Sequence, residues 1–373
     1  MKKKAMIIAT VYSFVSHFEK NDIKILQELG YEIVVASSYE GYKGELEDLN
    51  IEKLDIPFTR SPISLKNIKA FFKLNKYLKE NQVDLIHCHT PVGGVVGRMI
   101  GRWNKVSRII YTAHGFHFFN GAPKINWLIY YPIEKILSKF TDTLITINKE
   151  DYERAKTFYA KKVEYIPGVG IDVEKIQNIE VDKEQKRKEL GLSMDDIVLL
   201  SVGELSSRKN HITPIRALAE IKDKNIKYLI AGVGVLENFL KEEIKKLGLE
   251  NQVKLLGYRN DIYELCKISD IYIFPSQREG LGLAGLEGMA AGLPLVSSYI
   301  NGIRDYTEDK ETGYCIDRFD IQGFKDGIEN LVYNEELRVN IGKYNQKIVE
   351  KYDLKNVDKI MRKILKGESN NVK

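Results

Sequence analysis

Short apolar runs alternate with amphipathic stretches along the whole chain, a pattern typical of α/β proteins with parallel sheets. Continuous runs such as Ala-Met-Ile-Ile-Ala-Thr and Thr-Leu-Ile-Thr-Ile are what strands covered on both faces require. In the first half the pattern predicts strands at 5–10, 31–36, 52–56, 83–88, 108–113 and 142–147, and helices at 17–29, 64–80, 92–103, 124–139 and 149–158.

A cluster of Pro and Gly at 166–172 interrupts the pattern and predicts an interdomain linker. The second series predicts strands near 196–202, 227–231, 253–256, 271–274 and 294–297, helices near 209–222, 235–247, 260–267 and 283–291, and a helical tail at 321–332, 335–350 and 354–366. We therefore expect an α/β fold of two Rossmann-like domains facing a central cleft. Its predicted parts are an N-terminal domain at 1–167, a C-terminal domain at 168–352, and a C-terminal helix at 353–373 that packs back on the first domain.

The composition fits a globular protein, since 43% of the 373 residues are hydrophobic and 29% are charged. Three scattered cysteines are too few for a disulfide framework and indicate a reduced compartment. The first apolar run ends after about five residues, too early for a signal peptide, and no run approaches the roughly 18 apolar residues of a spanning helix. These features predict a cytoplasmic protein, with contact at the inner face of the cell membrane left open.

Basic side chains are concentrated in the first 168 residues, whereas the remainder is slightly acidic despite a net charge of +5. A basic domain indicates an anionic partner. Nucleic acid, a membrane face and a phosphorylated lipid acceptor all fit this distribution. The chain contains none of the familiar nucleic-acid-binding motifs, so we expect no nucleic-acid partner.

Two carboxylates lie eight positions apart in the segment 277–287, which follows a buried strand. Glu279 falls in a loop and Glu287 about one turn into the next helix, while glycines between them allow backbone amides to approach a ligand. The helix N-terminus favours an anion, so its amides are placed to bind a phosphate. The loop carboxylate is then placed to bind a sugar, and the helical carboxylate to bind a ribose. A Gly-rich turn with two solvated acids is the alternative interpretation.

A second motif, Gly203-Glu204-Leu205-Ser206-Ser207-Arg208-Lys209-Asn210, also follows a strand. Its Arg-Lys pair opens a helix, where cations are unfavourable unless an anion is bound. Arg208 and Lys209 are suited to neutralise a diphosphate leaving group. A surface Arg-Lys pair without a ligand is the alternative.

These two motifs, together with Met289-Ala290-Ala291-Gly292-Leu293-Pro294-Leu295-Val296, resemble glycosyltransferase family 4, which has the GT-B fold and retains anomeric configuration. The resemblance implies a donor site in the C-terminal domain and an acceptor site in the N-terminal domain. It implies that Arg208 and Lys209 hold the diphosphate, Glu279 contacts the donor sugar, Glu287 binds the ribose, and the amides near Gly282 and Leu283 hold phosphate. The implied donor-binding set also includes Gly203, Glu204, Tyr258 and Arg259, the last two flanking the base. No Asp-x-Asp motif lies in a suitable loop, so we expect neither a metal nor any other cofactor.

Histidines follow two strands of the first half. The resemblance places His114 beside the reacting sugar, so the expected catalytic set is His114, Arg208, Lys209 and Glu279. Family members carry a Gly-rich loop after the first strand, but residues 10–16 contain no glycine, and Ser13 and His17 are assigned to acceptor binding together with His89. Strand alternation puts His87 and His89 on one face, yet no further ligand is spaced in sequence to complete a zinc site.

The segment 64–80 predicts an amphipathic helix whose lysines recur every three to four positions beside apolar residues, a pattern suited to anionic membrane surfaces. Trp127, Tyr130 and Tyr131 are candidate interfacial anchors. A core-packed helix with solvated lysines explains the same pattern. The stretch 112–152 further resembles bacterial capsule and exopolysaccharide transferases, which implies a polyprenyl-diphosphate-linked saccharide acceptor.

The resulting hypothesis is a retaining hexosyl- or N-acetylhexosaminyl-transferase that uses a nucleotide-sugar, expected to be a UDP-sugar. Its acceptor hydroxyl attacks from the leaving-group face, and a donor phosphate oxygen takes the proton. A nicotinamide-dependent oxidoreductase is disfavoured because the first strand is not followed by Gly-x-Gly-x-x-Gly. A phosphorylase or epimerase of the same fold is the nearest alternative, and a non-enzymatic anion-binding protein is a more distant one.

Overall fold

The computed structural model describes residues 3–62 and 64–368. The chain divides into two compact units, with boundaries between Val169 and Gly170 and between Leu354 and Lys355. The first unit combines the N-terminal part with the C-terminal segment, and the second contains everything between. Within the described residues, no helix combines the length and apolar composition needed to cross a membrane.

The first unit is built on one parallel sheet. Its strands are β1 (Lys3–Val11), β2 (Tyr31–Ser38), β3 (Ile51–Asp55), β4 (Leu85–His89), β5 (Arg108–Ala113), β6 (Thr143–Thr146) and β7 (Lys162–Tyr165). Their order in the sheet is β3-β2-β1-β4-β5-β6-β7, so β1, β4 and β5 are neighbours at its centre. The connecting helices are α1 (Tyr12–Phe18), α2 (Lys20–Glu28), α3 (Leu65–Glu80), α4 (Pro91–Trp103), α5 (Lys124–Leu137) and α6 (Lys149–Ala155).

Helix α4 lies unusually close to the sheet because glycine recurs on its inner face. A Cβ atom on Gly94 would lie 2.4 Å from the ring of Tyr111, and one on Gly97 would lie 2.7 Å from Cys88. These positions tolerate no side chain without displacement of the strands beneath. The close approach fixes the ends of β4 and β5, where the histidines predicted to be functional lie.

One buried ion pair ties α4 to α5. Arg98 is fully buried, its Nη1 lies 2.8 Å from Oε2 of Glu134, and its guanidinium stacks 3.9 Å from the ring centroid of Tyr111. Burial acts to lower the pKa of Arg98, but the nearby Glu134 outweighs it and keeps the group charged. Loss of either partner would leave an uncompensated charge in the core.

The second unit is a second parallel sheet. Its strands are β8 (Ile197–Val202), β9 (Ile226–Ala231), β10 (Val253–Gly257), β11 (Ile271–Phe274), β12 (Leu295–Ser298) and β13 (Gly313–Ile316), arranged in the order β10-β9-β8-β11-β12-β13. The helices are α7 (Val173–Asn178), α8 (Lys183–Glu189), α9 (Ile212–Ala219), α10 (Glu237–Lys246), α11 (Ile262–Ile268), α12 (Leu283–Ala290), α13 (Ile321–Val332) and α14 (Glu335–Ile348). Ligands of such sheets bind beyond the carboxyl ends of the strands, where β8 and β11 are adjacent.

The final helix, α15 (Leu354–Lys366), packs on the first unit. Arg108 donates to the carbonyl oxygens of Ile364 and Leu365, and Arg362 forms an ion pair with Glu28. Of the C-terminal helix predicted at 353–373, residues 369–373 lie outside the described residues.

Two parallel α/β sheets confirm the predicted fold class, but several elements differ from the sequence prediction. The helix predicted at 17–29 is two helices, α1 and α2, separated at Glu19, and α1 begins directly after β1. Strands β7 and β13 were not predicted because their four-residue sequences have partly exposed positions and lack a long apolar run. The short helices α7 and α8 were also missed, since their charged sequences carry little apolar periodicity.

Candidate functional sites

The two motifs predicted to bind a donor meet in the second unit. Nζ of Lys209 lies 2.7 Å from Oε1 of Glu279, and Nη1 of Arg208 lies 3.1 Å from the same oxygen. Glu279 is only 7% exposed. Burial acts to raise the pKa of Glu279, but Lys209 and then Arg208 outweigh it and hold that pKa below its ordinary value. The site therefore contains an ionised carboxylate between two cations, with net positive charge.

Glycine and an aromatic ring position Lys209. A Cβ atom on Gly203 would lie 3.0 Å from Cε of Lys209, so the absence of a side chain at this strand end leaves room for the lysine stem. The Lys209 ammonium lies 5.3 Å from the centroid of Phe274, at the end of β11. The glycine after β8 and the Phe274 ring of β11 thus position the lysine side chain.

The N-terminus of α12 lies against the same aromatic ring. Gly282, the residue before the helix, has φ +93°, and a Cβ atom there would lie 2.7 Å from Phe274. Tyr306 donates to the Gly282 carbonyl at 3.2 Å. Among the described residues, no side chain caps this helix and no acid lies in its first turn, where Leu283 is the first residue. Its leading amides are consequently available to an anion.

Glu287 lies on α12 beside Tyr263 of α11. Burial raises the pKa of Glu287 to about 7, although a hydrogen bond from Tyr263 and the charge of Lys209 both act to lower it. Burial, followed by Glu287, raises the pKa of Tyr263 to about 12. The carboxyl is therefore partly ionised near neutral pH, and its ionised form accepts hydrogen bonds, as binding of a diol requires.

The remaining predicted donor residues surround this cluster less closely. Glu204 is exposed after β8, and Tyr258 is 74% exposed after β10. The Arg259 guanidinium donates from Nε to Asp261 at 2.8 Å and forms an ion pair with it, so this arginine is already paired. Seven of the predicted donor residues lie together: Gly203, Arg208, Lys209, Glu279, Gly282, Leu283 and Glu287. Among the described residues, no side-chain contact joins Glu204, Tyr258 or Arg259 to this group.

The sequence analysis missed two features of this site. A Cβ atom on Gly232 would lie 1.9 Å from the carbonyl oxygen of Gly203, and one on Gly234 would lie 2.4 Å from that of Leu205. The Gly-x-Gly after β9 is therefore needed for the close contact between the loops that follow β8 and β9. This pair of glycines could have indicated the contact from the sequence. The second is His211, which is 3% exposed and whose pKa is lowered to about 4 by burial and by Lys209.

Five titratable side chains cluster at the centre of the first unit. The rings of His87 and His89 lie 4.1 Å apart, which confirms that strand alternation puts them on one face. Nδ1 of His89 lies 3.2 Å from Nε2 of His114 and 3.2 Å from Oε1 of Glu19. Nδ1 of His87 lies 3.7 Å from Oδ2 of Asp22, and its Nε2 is hydrogen-bonded to Thr112. From sequence spacing alone, no further metal ligand was expected beside His87 and His89. The structure corrects this expectation, because distant segments supply Glu19, Asp22 and His114.

Burial dominates the electrostatics of this cluster. It raises the pKa of Glu19, with a further contribution from Asp22, and together with Asp358 it raises the pKa of Asp22 to about 7. It lowers the pKa of His89, and it lowers the pKa of His114 to about 4. The imidazoles are therefore neutral at physiological pH. His114 is 19% exposed at its side chain, whereas His89 is fully buried.

A cavity of about 530 Å³ lies in the first unit, and its lining residue Phe14 has its ring 4.8 Å from that of His114. Its lining includes Ser13, His17, Phe14 and Arg60. Nδ1 of His17 donates to the Ser13 carbonyl at 2.6 Å, so these two predicted acceptor residues are held together on α1. The helix replaces the Gly-rich loop of the family at this position.

The helices α3, α4 and α5 pack side by side and expose apolar side chains. On α3, Ser64 caps the helix, Lys66 and Lys73 are exposed, and Phe72 is 64% exposed. Trp127, Tyr130 and Tyr131 pack partly against the core, so the aromatic anchors predicted on α5 are not its outermost residues. The exposed apolar residues of α5 are instead aliphatic: Ile125, Leu128, Ile129, Ile133 and Ile136.

Two sequence families match the chain. Residues 182–348 match the family described as glycosyl transferases group 1. Residues 5–148 match the family described as glycosyl transferase 4-like. The two matches lie within the second and the first unit respectively.

Relatives of similar length match almost the whole chain. EpsD of Bacillus subtilis, named as a glycosyltransferase, is 36% identical over 354 residues, which cover 93% of this chain and 92% of EpsD. A protein of Escherichia coli, named UDP-Gal:alpha-D-GlcNAc-diphosphoundecaprenol alpha-1,3-galactosyltransferase, is 31% identical over 358 residues, covering 93% of this chain and 92% of that protein.

The fold is also found in solved structures. HepE of Anabaena, crystallised in complex with UDP, superimposes with a TM-score of 0.81 and 21% sequence identity, covering 98% of this chain and 100% of HepE. At that identity the similarity establishes the GT-B type of fold.

Proposed function

The chain belongs to glycosyltransferase family 4, and from this membership we propose that it transfers a sugar, with retention, from a UDP-sugar to a polyprenyl-diphosphate-linked saccharide. The observation that carries the proposal is the cluster of Arg208, Lys209 and Glu279 beside the uncapped N-terminus of α12. Cations and free amides at one place suit a diphosphate. The reaction serves synthesis of a surface polysaccharide.

The donor is assigned from the chemistry of the second unit. The diphosphate contacts Arg208, Lys209 and the amides at Gly282 and Leu283. Glu287, whose carboxyl is partly ionised near neutral pH, binds the ribose hydroxyls. UDP as the nucleotide is supported by the name of the E. coli relative, which specifies UDP-Gal, and by the UDP complex of HepE.

The same groups account for rate enhancement. Negative charge grows on the β-phosphate as the glycosidic bond breaks, so fixed cations there stabilise the transition state more than the ground state. Because the two cations offset the diphosphate charge, no metal is needed at the donor site. Glu279 orients Lys209 and Arg208 and offers its carboxylate to the donor sugar. The acceptor hydroxyl attacks from the leaving-group face and passes its proton to a donor phosphate oxygen.

The acceptor is assigned to the first unit. The names of two relatives, the E. coli galactosyltransferase and an N-acetylgalactosaminyltransferase of Campylobacter jejuni that is 25% identical, specify diphosphoundecaprenol-linked acceptors and alpha-1,3 linkages. The α-linkage agrees with retention, since the galactose of UDP-galactose is itself α-linked. Ser13 and His17 line the cavity of about 530 Å³ and contact the acceptor, while the exposed part of His114 faces the reacting sugar. His89 is buried and acts through His114.

Turnover of cation variants tests the donor assignment. We expect Arg208→Ala and Lys209→Met each to reduce sugar transfer by at least about 100-fold, as loss of a transition-state charge contact does. Lys241→Met is the matched control, because Lys241 is an exposed lysine of α10 paired only within its helix among the described residues. UDP-sugar and GDP-sugar panels, with and without acceptor and EDTA, report nucleotide release. Near-normal transfer by both variants would contradict the assignment, and acceptor-independent conversion of the donor would favour an epimerase.

A lipid-linked acceptor also requires contact with the membrane. The exposed apolar residues of α3 and α5, beside the exposed lysines of α3, suit an anionic bilayer surface. Peripheral binding at this face would bring the first unit to its acceptor.

Vesicle sedimentation tests this surface. We expect binding to vesicles containing anionic lipid, and a marked loss of binding in Leu128→Ser combined with Phe72→Ser. Phe239→Ser is the control, because Phe239 is 41% exposed in the second unit. Equal binding by the wild type, the double variant and Phe239→Ser would refute the assignment of this face.

A further inference from the structure

We infer that Glu19, His89 and His114 form a binding site for one divalent transition-metal ion in the first unit. The inference concerns a place separate from the proposed diphosphate contacts, and it goes beyond the transferase reaction.

The three atoms form a triangle of the size that a metal ion requires. Nδ1 of His89 lies 3.2 Å from Nε2 of His114 and 3.2 Å from Oε1 of Glu19, and the third side measures 3.9 Å. Ligands at about 2.0–2.1 Å from zinc in tetrahedral geometry lie about 3.4 Å apart. The observed sides bracket that value, so an ion fits with little movement of side chains.

Hydrogen bonding alone explains this triangle poorly. Nδ1 of His89 faces both the carboxylate and the second imidazole, and it carries at most one hydrogen. An ion at the centre would satisfy all three facing atoms at once.

The buried carboxyl groups beside the triangle also suit a cation. Glu19 and Asp22 are both buried, and among the described residues neither forms an ion pair with a lysine or arginine. Buried carboxylates are ordinarily paired or bound to metal.

The cavity has the capacity for one ion. It measures about 20 Å³, close to what a single water molecule occupies, and Glu19, Asp22, His89, His114 and Asp358 are in its lining. It is far too small for a sugar or a nucleotide. Two imidazole nitrogens and one carboxylate oxygen with a fourth position open are a ligand set that zinc accepts. Magnesium prefers six oxygen ligands and fits this set badly.

An ion here would join three parts of the first unit. Glu19 separates α1 from α2, His89 ends β4, and His114 follows β5. Ligation of Nε2 would fix the His114 ring in one orientation, and this ring is the one assigned to the reacting sugar. The metal therefore has a positioning role, with no part in holding the diphosphate.

Metal titration of the full chain tests the inference. Protein freed of metal with EDTA is titrated with Zn²⁺ and, for its visible spectrum, with Co²⁺, with Mg²⁺ as the negative control. We expect one Zn²⁺ per chain, a raised Tm, and a Co²⁺ spectrum of the four-coordinate type. Glu19→Gln should weaken Zn²⁺ binding by more than about 100-fold, because removal of a ligand costs at least as much as loss of an outer-shell partner. His117→Gln, three residues from His114 and outside the triangle, should bind as the wild type does.

The outcomes separate this inference from the proposed function. Absence of stoichiometric Zn²⁺ and Co²⁺ binding to the wild type overturns it, even if Glu19→Gln fails to fold. Equal Zn²⁺ affinity in Glu19→Gln also overturns it. UDP binding measured on the EDTA-treated protein reports on the second unit alone, and its loss would count against the metal-free donor site rather than against this cluster.

Discussion

Replacement of Glu287 by glutamine should make the protein more stable and a poorer binder of UDP. Burial raises the pKa of Glu287 from 4.5 to about 7. At about 1.36 kcal/mol per pKa unit, full ionisation of this carboxyl costs the folded state about 3 kcal/mol. An acid whose pKa is raised on folding adds stability below its unfolded pKa, and that stability is lost as pH rises from about 4.5 through about 7.

The gain from Glu287→Gln should therefore depend on pH. We expect an increase in the free energy of unfolding of about 3 kcal/mol near pH 8 and of less than about 1 kcal/mol near pH 5. Glutamine can still accept the hydrogen bond from Tyr263, so the variant removes charge rather than packing. The terminal phosphate of UDP ionises in the same pH range for both proteins. The affinity of the wild type for UDP should therefore rise more steeply between about pH 6 and pH 8 than that of the variant, which should bind UDP more weakly.

Urea unfolding followed by far-UV circular dichroism measures the stability difference, and calorimetric titration measures UDP affinity. Both tryptophans, Trp103 and Trp127, lie in the first unit, so their fluorescence identifies the part of the transition that belongs to that unit. Glu242→Gln, an exposed position on α10, is the matched control and should change neither quantity. A stability gain of equal size at both pH values would refute the reasoning, as would an unchanged pH dependence of UDP binding.

Three further predictions concern packing and pH. Arg98→Met should lower the free energy of unfolding by about 3–5 kcal/mol, and adding Glu134→Gln should recover part of this loss. Urea unfolding followed by tryptophan fluorescence measures it, and a loss under about 1 kcal/mol would contradict a stabilising role of the buried ion pair. Gly94→Ala should lower Tm by forcing a Cβ atom against Tyr111, at a cost of about 1–3 kcal/mol, and an unchanged Tm would show that the helix can move away freely. The lowered pKa of His211 means that its neutral form is stabilising near neutral pH and that stability falls from about pH 6.5 to pH 4. In thermal unfolding, His211→Gln should make the fall in stability between about pH 6.5 and pH 4 smaller. An equal fall in the variant would show that His211 does not cause it.

Sequence periodicity predicted the strands with buried faces because an apolar run is a local property of the chain. It failed at β7 and β13, which are edge strands with polar, partly exposed positions. It also failed at Glu19, where an apolar helical pattern continues across the break between α1 and α2. The backbone interruption there is visible only in the folded unit.

In the donor site, sequence spacing separated Glu279 and Glu287 by eight positions and put Arg208 and Lys209 at the start of a helix after a strand. The helix α9 begins only at Ile212, so the Arg-Lys pair lies in the turn before it. Sequence spacing could not predict that Glu279 pairs with both cations, because β8 and β11 become neighbours only through the sheet order. Strand alternation did predict that His87 and His89 share a face.

The sequence by itself determined the two α/β series, the strand-end motifs and the paired histidines of β4, since each depends on residues that are close along the chain. Only the tertiary structure brought Glu19 and His114 to His89. The register of β1, β4 and β5 sets the distances among them, and that register arises from packing of the whole unit.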